Sequence, residues 1–458
     1  EFRRVLFRST PTRRELVGDA FDRAAGAVTE AWESLADRET DTSLDELTGD
    51  DFAAKGRLRR LTALDVGAFV IVVLAAVAGW KLLGDGRLTG AGLLPSQATW
   101  TDLWHAYLDP VAGTPALTGA PWLGSTALAA LVTFGQVEWL VTVGFIVVVP
   151  LAWLLALRTL RARGVESATA VIASIGYAIA PVLCGAYGGG WLGVLTWAVV
   201  LPLLAHALAA WADDQSWRSA GAVALWLAFA VVEVPLTWPL VVLTMAALPA
   251  ARSGRGGGQV LLVSVTGAVA LGPALTGWAR FPGRLLTSAS PTLATLEAPD
   301  PWLLALAHPG GTGAAPIWLS AVVVGVAWSA AVLGLFRRPR EAAPGFAVAG
   351  LGVVLAVVLS RLVVTVPPGV EARPQPHAWL VLMVGGLMWA AAQGLSGLAA
   401  DLRYRTLGGW RAAVLGLTVV VVGAVGLGAA WWAWDGGSAL RRTSGDSLPP
   451  FVRVAMTS

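Results

Sequence analysis

Long apolar segments recur along most of this chain, each separated from the next by glycine, proline, arginine or aspartate residues. A helix needs about 20 consecutive apolar residues to cross the hydrocarbon core of a bilayer. Hydrophobic residues make up 56% of the 458 residues and charged residues only 13%, a balance too apolar for a soluble domain of this length. The sequence therefore predicts an all-α polytopic membrane protein that forms one helical bundle.

We predict about eleven transmembrane helices from the length of these segments. The predicted spans are residues 61–83, 138–157, 168–187, 192–211, 219–233, 236–250, 260–278, 317–336, 346–366, 378–399 and 412–434. The two short spans that meet in the stretch EVPLTWP, residues 233–239, are also compatible with a broken or re-entrant hairpin. Such a hairpin would leave the orientation of the later spans unchanged.

The regions outside the spans differ in character. Residues 1–10, EFRRVLFRST, are typical of a cloning or assembly scar, and we exclude them from fold reasoning. Residues 11–60 predict a cytoplasmic amphipathic helix followed by an acidic juxtamembrane linker, since apolar residues recur there every three or four positions before an acidic stretch. Residues 61–434 form the predicted transmembrane domain, and residues 435–458 the start of a truncated extracytoplasmic tail.

Arginine clusters predict the orientation of the bundle. The stretch KGRLRR, residues 55–60, directly precedes the first span, and by the positive-inside rule this places the N-terminus in the cytoplasm. Later arginine clusters recur in every second connection, as this assignment requires. We therefore expect a multi-pass protein of the cell membrane with an extracytoplasmic C-terminus. Because the charges are sorted by membrane side, the net charge of +3 does not indicate nucleic-acid binding.

Two long connections fall on the predicted outer side, residues 84–137 and 279–316. Each contains a semi-apolar piece, residues 121–134 and 285–307, that is too short or too polar to span. Such pieces usually lie as helices along the membrane interface. We therefore expect interfacial helices in both extracytoplasmic loops.

The first outer loop contains the stretch TDLWHAYLD, with Asp102, His105 and Asp109 spaced by three and four residues. On a helix these side chains share one side. Asp102 is then a candidate general base toward an acceptor hydroxyl, with His105 orienting it, and the set is also suited to a divalent cation. The competing interpretation is structural, with Asp102 capping a helix that begins at Thr101 and Asp109 ending it before a proline.

Five further residues are candidate substrate contacts on the same predicted side: Trp104, Tyr107, Trp122, Glu233 and His377. The tryptophans there fit an aromatic belt at the interface, or a groove in which indole faces stack on sugar rings. Glu233 lies in an apolar setting, which indicates either a functional acid or a hydrated interfacial residue. The outer histidines lie on separate loops without the spacing of metal ligands, so no metal site is predicted beyond the divalent cation considered above.

Several short stretches carry a resemblance to a known family: SLDELTGDDFA, LLPSQATWTDLWHAYLDP, PWLG and ALRRTSGDSLPPFV. Together they resemble the membrane region of large actinobacterial family 2 glycosyltransferase fusion proteins, and the near-exclusive use of arginine as the cation fits a GC-rich genome. The resemblance implies that the chain is a fragment, with a cytoplasmic family 2 transferase domain upstream as its partner. The plan is also similar to GT-C transferases, which carry a catalytic acid in the first outer loop and use polyprenyl-phosphate sugars.

The resemblance implies the membrane-embedded module of a cell-envelope glycosyltransferase that handles a polyprenyl-linked sugar or glycan acceptor at the extracytoplasmic face. Its expected partners are that lipid-linked sugar or envelope glycan and the membrane lipids. Two alternatives stay open from the residues alone. One is a noncatalytic transporter or flippase for a lipid-linked glycan, although no internal repeat typical of transporters is present. The other is a membrane anchor for the cytoplasmic transferase domain.

Overall fold

The computed structural model describes residues 62–93, 98–108, 121–248, 256–272, 274–275, 282–287, 297–366, 370–396 and 408–443. The chain divides into two units, Glu1–Arg60 and Leu61–Ser458, and all the described residues belong to the second. The predicted amphipathic helix and linker, the candidate residue Asp109 and the end of the predicted tail lie outside the described residues.

Short connections join helices along most of the described chain. The helices are α1 (Ala63–Leu82), α2 (Trp100–Leu108), α3 (Pro121–Ala130), α4 (Val137–Ala162), α5 (Ser167–Ala178), α6 (Ala180–Leu183), α7 (Ala186–Gly189), α8 (Leu192–Asp214), α9 (Trp217–Glu233), α10 (Thr237–Ala247), α11 (Gly256–Leu271), α12 (Gly283–Leu286), α13 (Pro301–Ala305), α14 (Ile317–Arg337), α15 (Pro339–Arg361), α16 (His377–Leu395) and α17 (Gly408–Trp434). The strands are β1 (Arg87–Thr89), β2 (Val364–Val366), β3 (Val370–Ala372) and β4 (Arg441–Thr443). They pair antiparallel as β1 with β4 and β2 with β3.

Six helices in the described part of the chain are long and apolar enough to cross a membrane, which supports a multi-pass membrane protein. They are α1, α4, α8, α14, α15 and α16. The other five predicted spans also coincide with helix, but the count of eleven crossings is not confirmed. In four of these the helices have 17 residues or fewer, and the predicted span 168–187 is divided among α5, α6 and the first half of α7. In the fifth, α17, the apolar stretch Thr418–Trp434 has 17 residues.

Glycines bring α15 and α16 into backbone contact. A Cβ atom on Gly386 would lie 2.5 Å from the backbone nitrogen of Ala349 and from the carbonyl oxygen of Gly345. Similarly, a Cβ atom on Gly352 would lie 2.6 Å from the backbone nitrogen of Met383. Such close approach is a common way to pack helices in lipid, where dispersion contacts replace the hydrophobic effect as the attraction between helices. The glycines therefore determine how closely α15 and α16 pack at the centre of the bundle.

The residues after the last helix pack onto the first outer loop. In addition to the pairing of β4 with β1, the Arg442 side chain donates from Nε to the Leu82 carbonyl at 2.7 Å and from a terminal nitrogen to Thr142 Oγ1 at 3.2 Å. The Arg442 guanidinium also lies 3.9 Å from the Glu138 carboxylate. Lys81 donates to the Trp434 carbonyl, which fixes the end of α17 to the end of α1. The two ends of the transmembrane domain therefore meet.

Predicted same-side connections contact one another at the two ends of the bundle. At one end, the Gly92 backbone nitrogen donates to the Gly189 carbonyl at 2.7 Å, and Gly188 packs on the backbone of Gly313. At the other end, Arg163 pairs with Asp213 at 2.5 Å, and a separate arginine, Arg337, donates to the Gly394 carbonyl at 2.8 Å. The loops therefore group as the arginine pattern requires. The assignment of the arginine-bearing end to the cytoplasm stays a prediction.

Candidate functional site

Helix α2 holds the polar residues of the first outer loop, and its beginning shows what Asp102 does structurally. The Asp102 carboxylate accepts hydrogen bonds from the backbone nitrogen of Thr99 at 2.8 Å and from the Thr99 hydroxyl at 2.7 Å. In return, the Asp102 backbone nitrogen donates to Thr99 Oγ1 at 3.4 Å. This reciprocal arrangement is a capping box. The cap begins at Thr99, two residues before the Thr101 that the sequence suggested.

The cap alters the chemistry of Asp102. Hydrogen bonds from the Thr99 backbone and then from its hydroxyl favour the ionised form and hold the pKa of Asp102 below its ordinary value, with a smaller contribution from His105. A carboxylate with a lowered pKa is a weaker base. The side chains of Asp102 and His105 are both exposed on the surface of the protein. The predicted catalytic roles of Asp102 and His105 therefore stay predictions, while the capping contacts are present in the structure.

Aromatic residues of α2 join the hairpin of α2 and α3 to the bundle. The rings of Trp104 and Tyr107 lie 5.7 Å apart, centre to centre. Tyr107 packs directly on Gly124 of α3, where a Cβ atom would lie 3.2 Å from the ring. The Tyr107 hydroxyl reaches the end of α11, since a Cβ atom on Gly272 would lie 2.5 Å from that oxygen. From its position on α2, Tyr107 thus contacts both α3 and the end of α11.

Glu233, the last residue of α9, lies beneath this hairpin. Only 8% of its surface is exposed. Its Oε1 atom lies 3.5 Å from the Ser125 hydroxyl, which also donates to the Trp122 carbonyl at 3.0 Å. On the other side, a Cβ atom on Gly193 would lie 3.0 Å from Oε2 of Glu233, so the first turn of α8 closes the site. Helices α3, α8 and α9 therefore enclose the carboxyl group.

The surroundings of Glu233 leave its carboxyl with little compensation for burial. Among the described residues, Ser125 is its hydrogen-bond partner, and no lysine, arginine or histidine lies within ion-pair distance. A carboxyl group withdrawn from water without a counter-charge is costly. Acids kept in such settings within membrane bundles are usually functional. Glu233 is therefore the candidate functional group that the structure distinguishes most clearly.

His377 occupies a different part of the same end. It is the first residue of α16, 6% exposed, and its ring stacks on Trp191 at 5.5 Å between centres with an interplanar angle of 29°. Its Nδ1 atom is buried without a hydrogen-bond partner. Trp191 precedes Gly193 by two residues, so His377 and Glu233 flank the beginning of α8 from two sides. The predicted substrate contact through His377 stays a prediction.

The predicted site residues thus divide into groups. The structure brings Trp104, Tyr107 and Trp122 to the hairpin that covers Glu233. It places His377 in the packing around Trp191 instead. Ser125 and Gly193 did not stand out in the sequence. A signal for Ser125 was present, since it is a hydroxyl residue within the semi-apolar piece 121–134 and lies one helical turn after Trp122.

The outer tryptophans also divide. Five of the indoles are exposed on the bundle surface, as in an aromatic belt: Trp80, Trp100, Trp302, Trp318 and Trp434. Others are core residues, among them Trp191, Trp379 and Trp432. Among the described residues, no cluster of three histidine, cysteine, aspartate or glutamate side chains is placed to hold a metal ion. The divalent cation stays untested.

Comparisons with known proteins add a structural likeness. No model of a known protein family matches the sequence, and no curated protein is significantly similar to it. A cryo-electron microscopy structure of the arabinofuranosyltransferase AftD from mycobacteria aligns with a TM-score of 0.45 and 16% sequence identity. The alignment covers 86% of this chain and 29% of that chain, so this chain spans less than a third of the matched protein. Because a TM-score this low does not establish a common fold, the likeness assigns no activity here.

Proposed function

We propose that the chain is the membrane-embedded module of a cell-envelope glycosyltransferase, handling a polyprenyl-linked sugar or glycan acceptor at the extracytoplasmic face. The observation that carries this proposal is the enclosed Glu233 carboxyl, which lies where α3, α8 and α9 meet at one end of the bundle. A purely structural anchor gains nothing from a buried acid without a counter-charge, because that acid costs free energy of folding.

Sugar transfer gives this carboxyl a chemical role. In the proposed step, the oxygen of an acceptor hydroxyl attacks the anomeric carbon of the donor sugar, and its proton passes to a Glu233 oxygen. The bond between the anomeric carbon and the phosphate oxygen breaks, and its electron pair leaves with the phosphate. A positioned base typically accelerates such a step by about 10²–10⁴-fold. Exclusion of water around Glu233 strengthens its electrostatic interactions with the reacting groups.

The hairpin over Glu233 supplies surfaces that suit a sugar. Trp104 and Tyr107 present aromatic rings next to α3, and Trp122 lies one turn before Ser125. Aromatic faces pack well against the apolar faces of pyranose or furanose rings, while their polar edges accept or donate hydrogen bonds. We propose Trp104, Tyr107 and Trp122 as sugar contacts. In this proposal Asp102 and His105 position α2. The partner of the chain is a cytoplasmic family 2 transferase domain.

The test compares two carboxyl groups at the same end of the bundle. Glu233→Gln preserves the size of the side chain and the contact with Ser125 but removes the proton acceptor. We expect transfer of labelled sugar from a polyprenyl-phosphate donor to a glycan acceptor in proteoliposomes to fall by at least about 100-fold. The matched control is Glu138→Gln, which removes the acid near Arg442 and should retain transfer.

The outcomes separate the competing functions. Full activity of a folded Glu233→Gln protein would remove this carboxyl from the reaction. Ser125→Ala should reduce transfer less than Glu233→Gln, since its hydroxyl only contacts the carboxyl at 3.5 Å. Movement of a lipid-linked glycan across liposomes that contain no sugar donor would instead identify a transporter.

A further inference from the structure

The arginine-bearing end of the bundle carries an arginine and a histidine on its outer surface that the proposed function does not use. Arg158 lies in the last two turns of α4, and His206 lies on α8, two turns before its end. Both side chains are exposed. Helices α4 and α8 pack against each other here, since the Thr159 hydroxyl donates to the Pro202 carbonyl at 3.2 Å.

Arg158 continues an apolar stripe along α4. Val143, Val147 and Leu151 are 43%, 42% and 37% exposed, and they follow one another at intervals of four residues. Arg158 follows Leu151 by seven residues, which places it on the same face of the helix. An exposed stripe of valine and leucine on a membrane-spanning helix faces acyl chains. Arg158 therefore lies where that lipid-facing stripe reaches the end of the helix.

His206 holds the corresponding position on α8. Residues Thr196, Val199, Leu203 and His206 recur at three and four residues, and each is exposed or half-buried, whereas their neighbours Trp197, Ala198 and Leu204 are buried. Such spacing defines one helix face. His206 is therefore also turned outward.

Arg158 lacks an acidic partner. Arg158 and Arg163 both act electrostatically on His206, so the imidazole lies near these two arginines. The acids at the end of α8 are otherwise engaged: Asp213 pairs with Arg163, and Asp214 accepts hydrogen bonds from Ser216 and Ser219. Within the described residues, no carboxylate forms an ion pair with Arg158.

We propose that Arg158 and His206 form a binding site for the phosphate group of an anionic phospholipid in the leaflet at the arginine-bearing end. An arginine near the end of a membrane helix places its charge at headgroup level, while the stem of the side chain stays in the apolar region. The His206 imidazole has an N–H group that can donate a hydrogen bond to a phosphate oxygen. The glycerophosphate of a phospholipid seated between α4 and α8 lies at that level. Its acyl chains continue along the part of the stripe nearest Arg158, which Leu151 and Val147 form.

The test measures how an anionic lipid stabilises the whole chain. The protein is reconstituted in nanodiscs of phosphatidylcholine with increasing fractions of phosphatidylglycerol, and the thermal unfolding midpoint gives the half-saturating fraction. Arg158→Gln should raise that fraction by about fivefold, the change expected for one cation near a membrane surface. His206→Gln should raise it in the same direction. Arg158→Lys should restore most of the affinity because it restores the charge.

The control is Arg338→Gln, which changes a half-buried arginine at the same end that pairs with Glu341 at 3.2 Å. It should leave the half-saturating fraction unchanged. An equal shift in Arg338→Gln would show a general surface-charge effect and overturn the site. Equal stabilisation by inorganic phosphate in pure phosphatidylcholine discs would show a soluble ligand and overturn the lipid assignment. Sugar transfer is not measured in this experiment, so its result is independent of the role of Glu233.

Discussion

The hydroxyl group of Tyr177 on α5 donates a hydrogen bond to the carbonyl of Ala198 on α8. In a regular helix this carbonyl would accept from the backbone nitrogen four residues later. That residue is Pro202, which has no backbone N–H to donate. Tyr177 therefore satisfies the acceptor that the proline leaves open. Unsatisfied backbone groups are costly in the membrane interior, so the two residues form a compensating pair.

Removing this hydroxyl should destabilise the bundle only while the proline is present. We expect Tyr177→Phe to lower the free energy of unfolding by about 1–3 kcal/mol, because it leaves the Ala198 carbonyl buried without a donor. In a Pro202→Ala background the helix supplies its own donor, so the same change should cost less. A double-mutant cycle on detergent-solubilised protein measures the coupling. Equal costs in both backgrounds would contradict the compensation.

Two glycines on α15 provide a matched pair for helix packing. A Cβ atom on Gly352 would lie 2.7 Å from the Trp379 carbonyl oxygen, whereas one on Gly350 would meet no atom within 4 Å. Gly352→Ala should therefore destabilise the protein by about 1–3 kcal/mol through overpacking. Gly350→Ala should stabilise it by about 0.5–1 kcal/mol, since alanine restricts the unfolded helix segment. Unfolding in detergent measures both, and similar effects would argue against close α15–α16 contact.

Asp102→Asn separates the cap from the predicted base. Asparagine accepts the hydrogen bonds of Thr99 and preserves the beginning of α2, but it cannot take up a proton from an acceptor. We expect this variant to keep both its fold and most of its sugar transfer, because the lowered pKa of Asp102 already makes it a weak base. The measurement is the transfer assay beside circular dichroism. Loss of transfer by about 100-fold with an intact fold would return the catalytic role to Asp102.

The sequence predicted where helices form more reliably than how many cross the membrane. Apolar length marked the helices of the predicted spans, but it did not locate the breaks around Ile179 and Gly185, where Gly185 has a φ of 81° that favours glycine. A capping role for Asp102 was predicted, but with the helix beginning at Thr101, whereas the capping box joins Asp102 to Thr99. The Ser125–Glu233 contact joins positions 108 residues apart. No local pattern encodes such a contact, because tertiary packing decides it.

His308 makes stability depend on pH. It lies in the loop between α13 and α14, where burial lowers its pKa from the ordinary value of about 6.5, opposed by a backbone hydrogen bond with Ala315. Its Nδ1 atom is buried without a partner. Below about pH 6.5 the unfolded chain binds a proton at this histidine more readily than the folded chain does. The free energy of unfolding should therefore fall as the pH falls through that value. His308→Gln should reduce this slope in unfolding measured between pH 7.5 and about 5.5. An unchanged slope would contradict the assignment to His308.

The single cysteine of the chain allows the predicted orientation to be tested directly. Because Cys184 is the single cysteine of the sequence, a Cys184→Ala background carries no thiol. Cys184 is also buried. Thr101 beside the capping box and Glu371 on β3 are exposed at the end that contains Glu233 and His377, while Arg340 is exposed at the arginine-bearing end. We expect a membrane-impermeant maleimide on intact cells to label Thr101→Cys and Glu371→Cys.

Arg340→Cys should react only after lysis, because positively charged connections stay on the cytoplasmic side. Labelling of all three thiols in intact cells would indicate leaky membranes. A cytoplasmic marker protein that stays unlabelled in the same cells shows that the membranes are intact. Opposite behaviour of Thr101→Cys and Glu371→Cys would place the hairpin over Glu233 and the loop before His377 on different sides of the membrane. That result would contradict the shared end of the bundle at which the two loops lie, and with it the proposed site for a sugar acceptor outside the cell.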